Sequence, residues 1–171
     1  DMTYNAIYAV FFSLIAIGLY ITLRFKKWQW ATGATLSLAH DALIVIGLFS
    51  MLYAVMPFNL EINQAFIAAI LTVIGYSINN TVVIFDRIRE NMHKEEAGSF
   101  YQIINDSINQ VLGRSFITGL SVLFCLTSLF FFGGATLHDF SFALLVGMAV
   151  AFFSSVFVAS PLLVLQGDHT K

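Results

Sequence analysis

Five apolar runs of about 20 residues each divide this chain, and a helix of that length spans a hydrocarbon core roughly 30 Å thick. In lipid the backbone must satisfy its own hydrogen bonds, so runs of this kind fold as transmembrane helices. Composition agrees. Of the 171 residues 58% are hydrophobic and only 11% charged, where an ordinary soluble domain carries about 25% charged residues, and the mean hydropathy is +0.83. The expected spans cover about residues 4–25, 33–55, 64–85, 115–132 and 140–165. The fold class is therefore an all-α integral membrane bundle of five transmembrane helices, a single domain over residues 1–171.

The polar segments between the runs set the orientation. The first run stops at Arg24, Lys26 and Lys27, with Trp28 and Trp30 as interfacial anchors, whereas Pro57 and Glu61 mark a turn without Lys or Arg. The third run empties into Asp86, Arg87, Arg89 and Glu90, and charge continues through His93, Lys94, Glu95 and Glu96. All eight Lys and Arg residues then fall on one face, which by the positive-inside rule is cytoplasmic, leaving the N-terminus outside and the C-terminus in the cytoplasm. No basic n-region precedes the first run, so it is a span and not a signal peptide.

Over about residues 99–112, Ser99 and Gln102 have capping-box spacing, and Phe100, Ile103, Ile104, Ile108, Val111 and Leu112 recur at helical period. With Asn105, Asp106, Asn109 and Gln110 opposite, this reads as an amphipathic helix lying at the cytoplasmic interface. Gly133 and Gly134 end the fourth run, Pro161 falls near the end of the fifth, and Gly147 with Ala151 gives the small-residue spacing of closely packed helices.

Several functions are disfavoured. Cys125 is the only cysteine and lies inside an apolar run, which rules out an internal disulfide. His40, His93, His138 and His169 lack ligand spacing, so no metal site and no cofactor are expected. Ser77, Ser121, Ser154 and Ser155 are available as nucleophiles, but no histidine is placed near the middle of a span to serve as base, so an enzyme is not expected. No basic stretch interleaved with aromatics points to nucleic acid.

Polar groups at lipid depth are the remaining signal. Tyr76, Ser77, Asn79, Asn80 and Thr81 form the longest such cluster, and Tyr76, Asn80, Val83 and Arg87 follow one helical face that must meet other helices or water. The asparagines serve either as interhelical glue or as part of an ion path. Asp86 and Arg87 sit where snorkelling anchors are common. Arg114, at matching depth, either turns inward, to pair with Asp86 or to set the charge at the mouth of a polar path, or faces out as a topological anchor. Asp41, read as lying at the start of the second span, is placed as a helix-start carboxylate stabilised by the macrodipole.

The stretch VIGYSINNTVVIFDRIREN, residues 73–91, resembles the signature of the SecF family of bacterial protein-export membrane subunits. LRF (23–25), AHDALIVIG (39–47), INDSINQVLGRSFITG (104–119) and SSVFVASPLL (154–163) match further family features in order, so the resemblance covers essentially the whole chain. It implies an accessory role in late preprotein translocation at the bacterial cytoplasmic (inner) membrane, driven by a proton or sodium gradient. The implied partners are SecD, the Sec translocon channel and the preprotein. It also implies an architecture similar to the resistance-nodulation-division exporters, with a further transmembrane helix and a periplasmic domain ahead of Asp1. One departure stands out: Asn80 occupies the position of the family's aspartate. The resemblance raises Asp86, Arg87 and Arg114 as path residues, while an amide at Asn80 does not titrate, so a carboxylate on the partner is expected to carry the ion. In that scheme Asn79 and Asn80 line the path and Arg114 modulates the carboxylate. Two rival expectations remain: a non-coupling scaffold that holds SecD, and half of a related exporter, against which the DRIREN run speaks.

Overall fold

A computed structural model describes residues 2–52, 63–93 and 99–165. The expected turn at residues 56–61, the charged segment 94–96 and the tail 166–171 lie outside them. The described residues form α1 (Met2–Phe25), α2 (Trp28–Leu52), α3 (Gln64–Met92), α4 (Phe100–Phe132) and α5 (Ala135–Ser154); a π-helical turn (Ser155–Ala159) then leads into α6 (Ser160–Leu165). Five helical stretches are long and apolar enough to cross a membrane, the fifth running from α5 through α6.

Local chemistry sets the boundaries. Lys26 takes a left-handed φ of 57° to turn the chain between α1 and α2. The Asn63 side chain accepts the Phe66 amide at 3.0 Å and caps α3. The capping box at α4 forms as expected, Ser99 accepting from the Gln102 amide and Gln102 from the Ser99 amide. Gly134, with φ 72° and ψ 175°, makes the sharp reversal into α5, a backbone conformation essentially restricted to glycine.

Two expectations change. The helix over 99–112 and the fourth span are one continuous helix of 33 residues, about 50 Å long at 1.5 Å per residue. Gly113 does not interrupt it, because a single glycine inside a helix costs only about 1 kcal/mol and a break needs an αL cap or proline. Nor does its polar face serve only the headgroups. Ser107 and Gln110 turn onto α3, where the Asn91 amide donates to both, at 2.8 and 3.1 Å, and Arg87 Nε donates to Gln110. The ends of α3 and α4 thus form a polar-zipped antiparallel hairpin, which is why α3 runs seven residues past its expected end at 85. The second change is that α2 starts at Trp28 rather than near 33, which moves His40 and Asp41 into its middle.

α3 is central, touching α1, α2, α4 and α5, and its contact with α5 is the most extensive in the bundle. Gly147 permits this closeness: a Cβ there would overlap the Val73 side chain. Ala151, one turn on, is fully buried, as the small-residue spacing predicts. Around these contacts the interior divides into two apolar clusters. One holds Val45, Phe49, Phe66, Val73 and Met148; the other holds Phe25, Trp30, Ile84, Phe85 and Leu163. Between them lies a layer of buried polar side chains.

Candidate functional site

Asp41 is the centre of that layer. Its side chain is 0% exposed. Ser77 of α3 donates to Asp41 Oδ2 at 2.6 Å, Ser154 of α5 is buried beside the carboxylate while its hydroxyl donates to the Ala151 carbonyl at 3.3 Å, and His40 Nδ1 lies 3.3 Å from Oδ1. Three helices therefore converge on one carboxyl group. A helix-start cap it is not: Asp41 lies thirteen positions past Trp28, too far for the terminal dipole, whose influence fades within the first turn. His40 likewise stands mid-helix, correcting the expectation that no histidine lies near the middle of a span.

The neighbouring hydroxyls complete the layer. Ser37 and Thr81 are fully buried, and neither oxygen has a hydrogen-bond partner. Ser155 and Ser160, in and just after the π-helical turn, are buried as well, the Ser160 hydroxyl donating to the Ser155 carbonyl at 3.2 Å. A π-helical turn inside an α-helix is rare and recurs at functional sites.

The face of Tyr76 and Asn80 points elsewhere. Tyr76 packs toward α4, where a Cβ at Gly119 would stand 3.2 Å from its hydroxyl, and that hydroxyl has no partner. Asn80 is 4% exposed and its amide nitrogen is unpartnered. Asn79 is exposed on the outside of the bundle. Arg87, at the end of this face, bonds Gln110 and pairs with Glu90 at 2.6 Å. The face does meet another helix of this chain.

Asp86 pairs with Arg24 of α1 at 3.2 Å and not with Arg114. Both partners are well exposed, a setting in which ion pairs contribute about 0–1 kcal/mol. Arg114 is exposed on α4. Among the described residues no group of three or more His, Cys, Asp or Glu is placed to hold a metal ion.

Sequence reasoning missed the convergence on Asp41, and it missed Ser37 and Ser154 as members of the polar layer. The signal was present: Ser37 with Asp41, and Ser77 with Thr81, are both polar pairs at four-residue spacing inside apolar runs.

A helical bundle with five membrane-length helices and a buried carboxylate at its centre is a polytopic membrane protein with an ionisable core. Residues 1–169 match the family described as protein export membrane protein SecD/SecF, C-terminal. The chain belongs to that family. It is 48% identical over 164 residues to the protein translocase subunit SecF of Rhodothermus marinus, covering 96% of this chain and 53% of that protein. It is 45% identical over 159 residues to the protein translocase subunit SecDF of Brucella abortus, covering 93% of this chain and 20% of that one. Among solved structures, the crystal structure of SecDF in its super-membrane-facing form superposes with a TM-score of 0.81 at 40% identity, over 90% of this chain and 20% of that one. The chain thus spans about half the length of curated SecF relatives it matches.

Proposed function

We propose that this chain is the membrane core of an accessory subunit of the Sec preprotein translocase, working in the bacterial inner membrane with a SecD-type partner and coupling an ion gradient to a late stage of export. The observation that carries the reading is Asp41. An ionisable group fully buried at mid-helix in an apolar bundle is expensive, and here it is tied by the Ser77 hydroxyl to α3 with buried Ser154 of α5 beside it, so a change in its charge state bears on how α2, α3 and α5 pack. Family membership supplies the export context: SecF and SecDF relatives are named as translocase subunits, and in the SecDF proteins both parts share one chain.

Charge placement supports the proposed topology, since Arg24, Arg87 and Arg89 gather at one end of the bundle, with Arg89 donating to the Arg24 carbonyl. Exposed polar groups on an otherwise apolar surface support the partner. Asn79 would face hydrocarbon unless another helix covered it, and Arg114 is available from α4 to a carboxylate on that partner. Asp41 now provides a carboxylate within this chain, so the ion need not depend on the partner alone. A hydrolytic role fits poorly. In the order Ser77–Asp41–His40 the carboxylate stands between hydroxyl and imidazole, so the imidazole does not reach the hydroxyl as it does in a Ser-His-Asp triad.

The test is gradient-stimulated export in membranes whose native subunit has been replaced by variants of the full-length protein. Asp41→Asn should lose the stimulation by an ionophore-sensitive gradient while still assembling with the partner. Arg114→Ala should impair it as well, Asn80→Ala less, and Asn80→Asp should shift its pH or sodium dependence. Export by Asp41→Asn at the wild-type level, with wild-type response to the gradient, would leave the chain a non-coupling scaffold.

A further inference from the structure

Hydroxyls in this bundle follow two habits. Thr22, Thr72, Thr118, Ser121, Thr127 and Ser141 each donate to the carbonyl four residues back in their own helix, the usual way for Ser and Thr to satisfy themselves within a helix. Ser37 and Thr81 also lie inside helices, yet their oxygens are buried and make no such bond. Buried polar atoms without partners are uncommon enough in native proteins to call for a reason.

Their position supplies one. The cross-helix contacts Trp30 to Phe85, Asp41 to Ser77 and Phe49 to Phe66 show α2 and α3 running antiparallel in a fixed register. In that register Ser37 and Thr81 each stand one turn from Asp41 and Ser77, on the same faces and toward the Trp30 end. Ser154 approaches from α5, directly before the π-helical turn. Five oxygen-bearing side chains on three helices therefore lie within about one helical turn of Asp41. Discontinuous helices recur around ion sites near the bilayer midplane, and the π-helical turn is such a discontinuity.

We propose that Ser37, Asp41, Ser77, Thr81 and Ser154 form a binding site for a dehydrated sodium ion inside this chain. Charge selects a monovalent ion, since one carboxylate and one positive charge leave the layer neutral, whereas a divalent ion would leave an uncompensated charge in an apolar interior. The donor set selects a hard cation, being oxygen alone on the Ser77 side of the carboxylate, with His40 on the other carboxylate oxygen. A proton would neutralise Asp41 but leave the lone pairs of Ser37 and Thr81 unused. A sodium ion engages them, while Ser77 donates its proton to the carboxylate and still offers oxygen lone pairs. The use of the site in export rests on the coupling proposed above; its existence does not.

The test is binding of radioactive sodium to the full-length protein with its partner in nanodiscs, in choline buffers of constant ionic strength, alongside thermal melting. Saturable binding is expected, with potassium competing poorly, and the affinity should fall by about tenfold or more in Asp41→Asn. Thr81→Val and Ser37→Ala should weaken sodium binding too, yet in choline alone they should melt no lower than wild type, because each removes a hydroxyl without a partner. That opposition of signs separates loss of a ligand from misfolding. No saturable sodium binding, or unchanged binding in both Asp41→Asn and Thr81→Val, overturns the site. If Asp41→Asn loses gradient-stimulated export but keeps sodium binding, the inference fails and the coupling stands; sodium binding that requires Asp41 in a protein whose export ignores every gradient supports the site and removes the coupling.

Discussion

Gly147→Ala isolates the packing that holds the two most closely associated helices together. A Cβ at position 147 would overlap one γ-carbon of Val73 and stand 3.1 Å from the Val73 Cβ itself. Rotating χ1 of Val73 exchanges its branches but leaves that Cβ in place, and a β-branched residue in a helix has in any case one strongly preferred rotamer. Relief therefore requires α3 and α5 to separate, which disturbs the neighbouring contact of Ala151 and the approach of Ser154 to Asp41. Overpacking of this kind costs about 1–3 kcal/mol, with no compensating gain from burial, because helix association in lipid rests on close packing. The same contact defines a rescue. Val73→Ala removes the atoms that collide, so the double variant should be more stable than the sum of the two single changes by about 0.5–3 kcal/mol. Thermal unfolding in mild detergent, followed by fluorescence of Trp28 and Trp30, reads all four proteins. Wild-type melting of Gly147→Ala, or strict additivity in the double variant, would refute the contact as the determinant of helix spacing.

Further outcomes follow from other parts of the structure. Gly134→Ala should destabilise by about 1–3 kcal/mol, since its φ and ψ lie where a side chain is strained, while Gly75→Ala, helical and with nothing within 4 Å of the added methyl, should be neutral or slightly stabilising; the same melting assay compares them. Cysteine placed at His138 should react with an impermeant thiol reagent from the outer face and cysteine at Lys94 only from the cytoplasm, and the reverse pattern would invert the proposed topology.

Sequence reasoning and structure agree where lipid imposes the answer. Apolar length located the five spans, because a continuous apolar run of about 20 residues satisfies its backbone in hydrocarbon as a helix, and the Ser99 to Gln102 box marked a helix start that the structure contains. Agreement fails where tertiary contacts decide. Hydropathy places the start of α2 at Gly33 because Trp28, Gln29 and Trp30 look interfacial, yet the Trp30 ring stacks on Phe25 and meets Phe85 edge-on, which draws that first turn into the bundle. The same misplacement reduced Asp41 to a cap. The polar face of residues 105–110 looks like a headgroup surface when taken alone, and only the partners Arg87 and Asn91 on α3 reveal part of it as a helix–helix contact. The third span shows its polar residues as a run, whereas the buried layer joins Ser77 and Thr81 of that run to Ser37 and Asp41 of the second span and Ser154 of the fifth, which no linear pattern connects.

The unbroken course of α4 has a mechanical consequence. A helix pivoting near its centre behaves as a rigid rod, and over a length of about 50 Å a tilt of about 5° swings one tip past the other by about 4 Å. The end near Tyr101 is fastened to α3 through Gln110 and Ser107, while the opposite end reaches Gly133 at the far side of the bundle. Displacement of the fastened end by a rearrangement around α3 would thus arrive at the other surface as a lateral stroke, with amplitude set by leverage and without any local refolding in between.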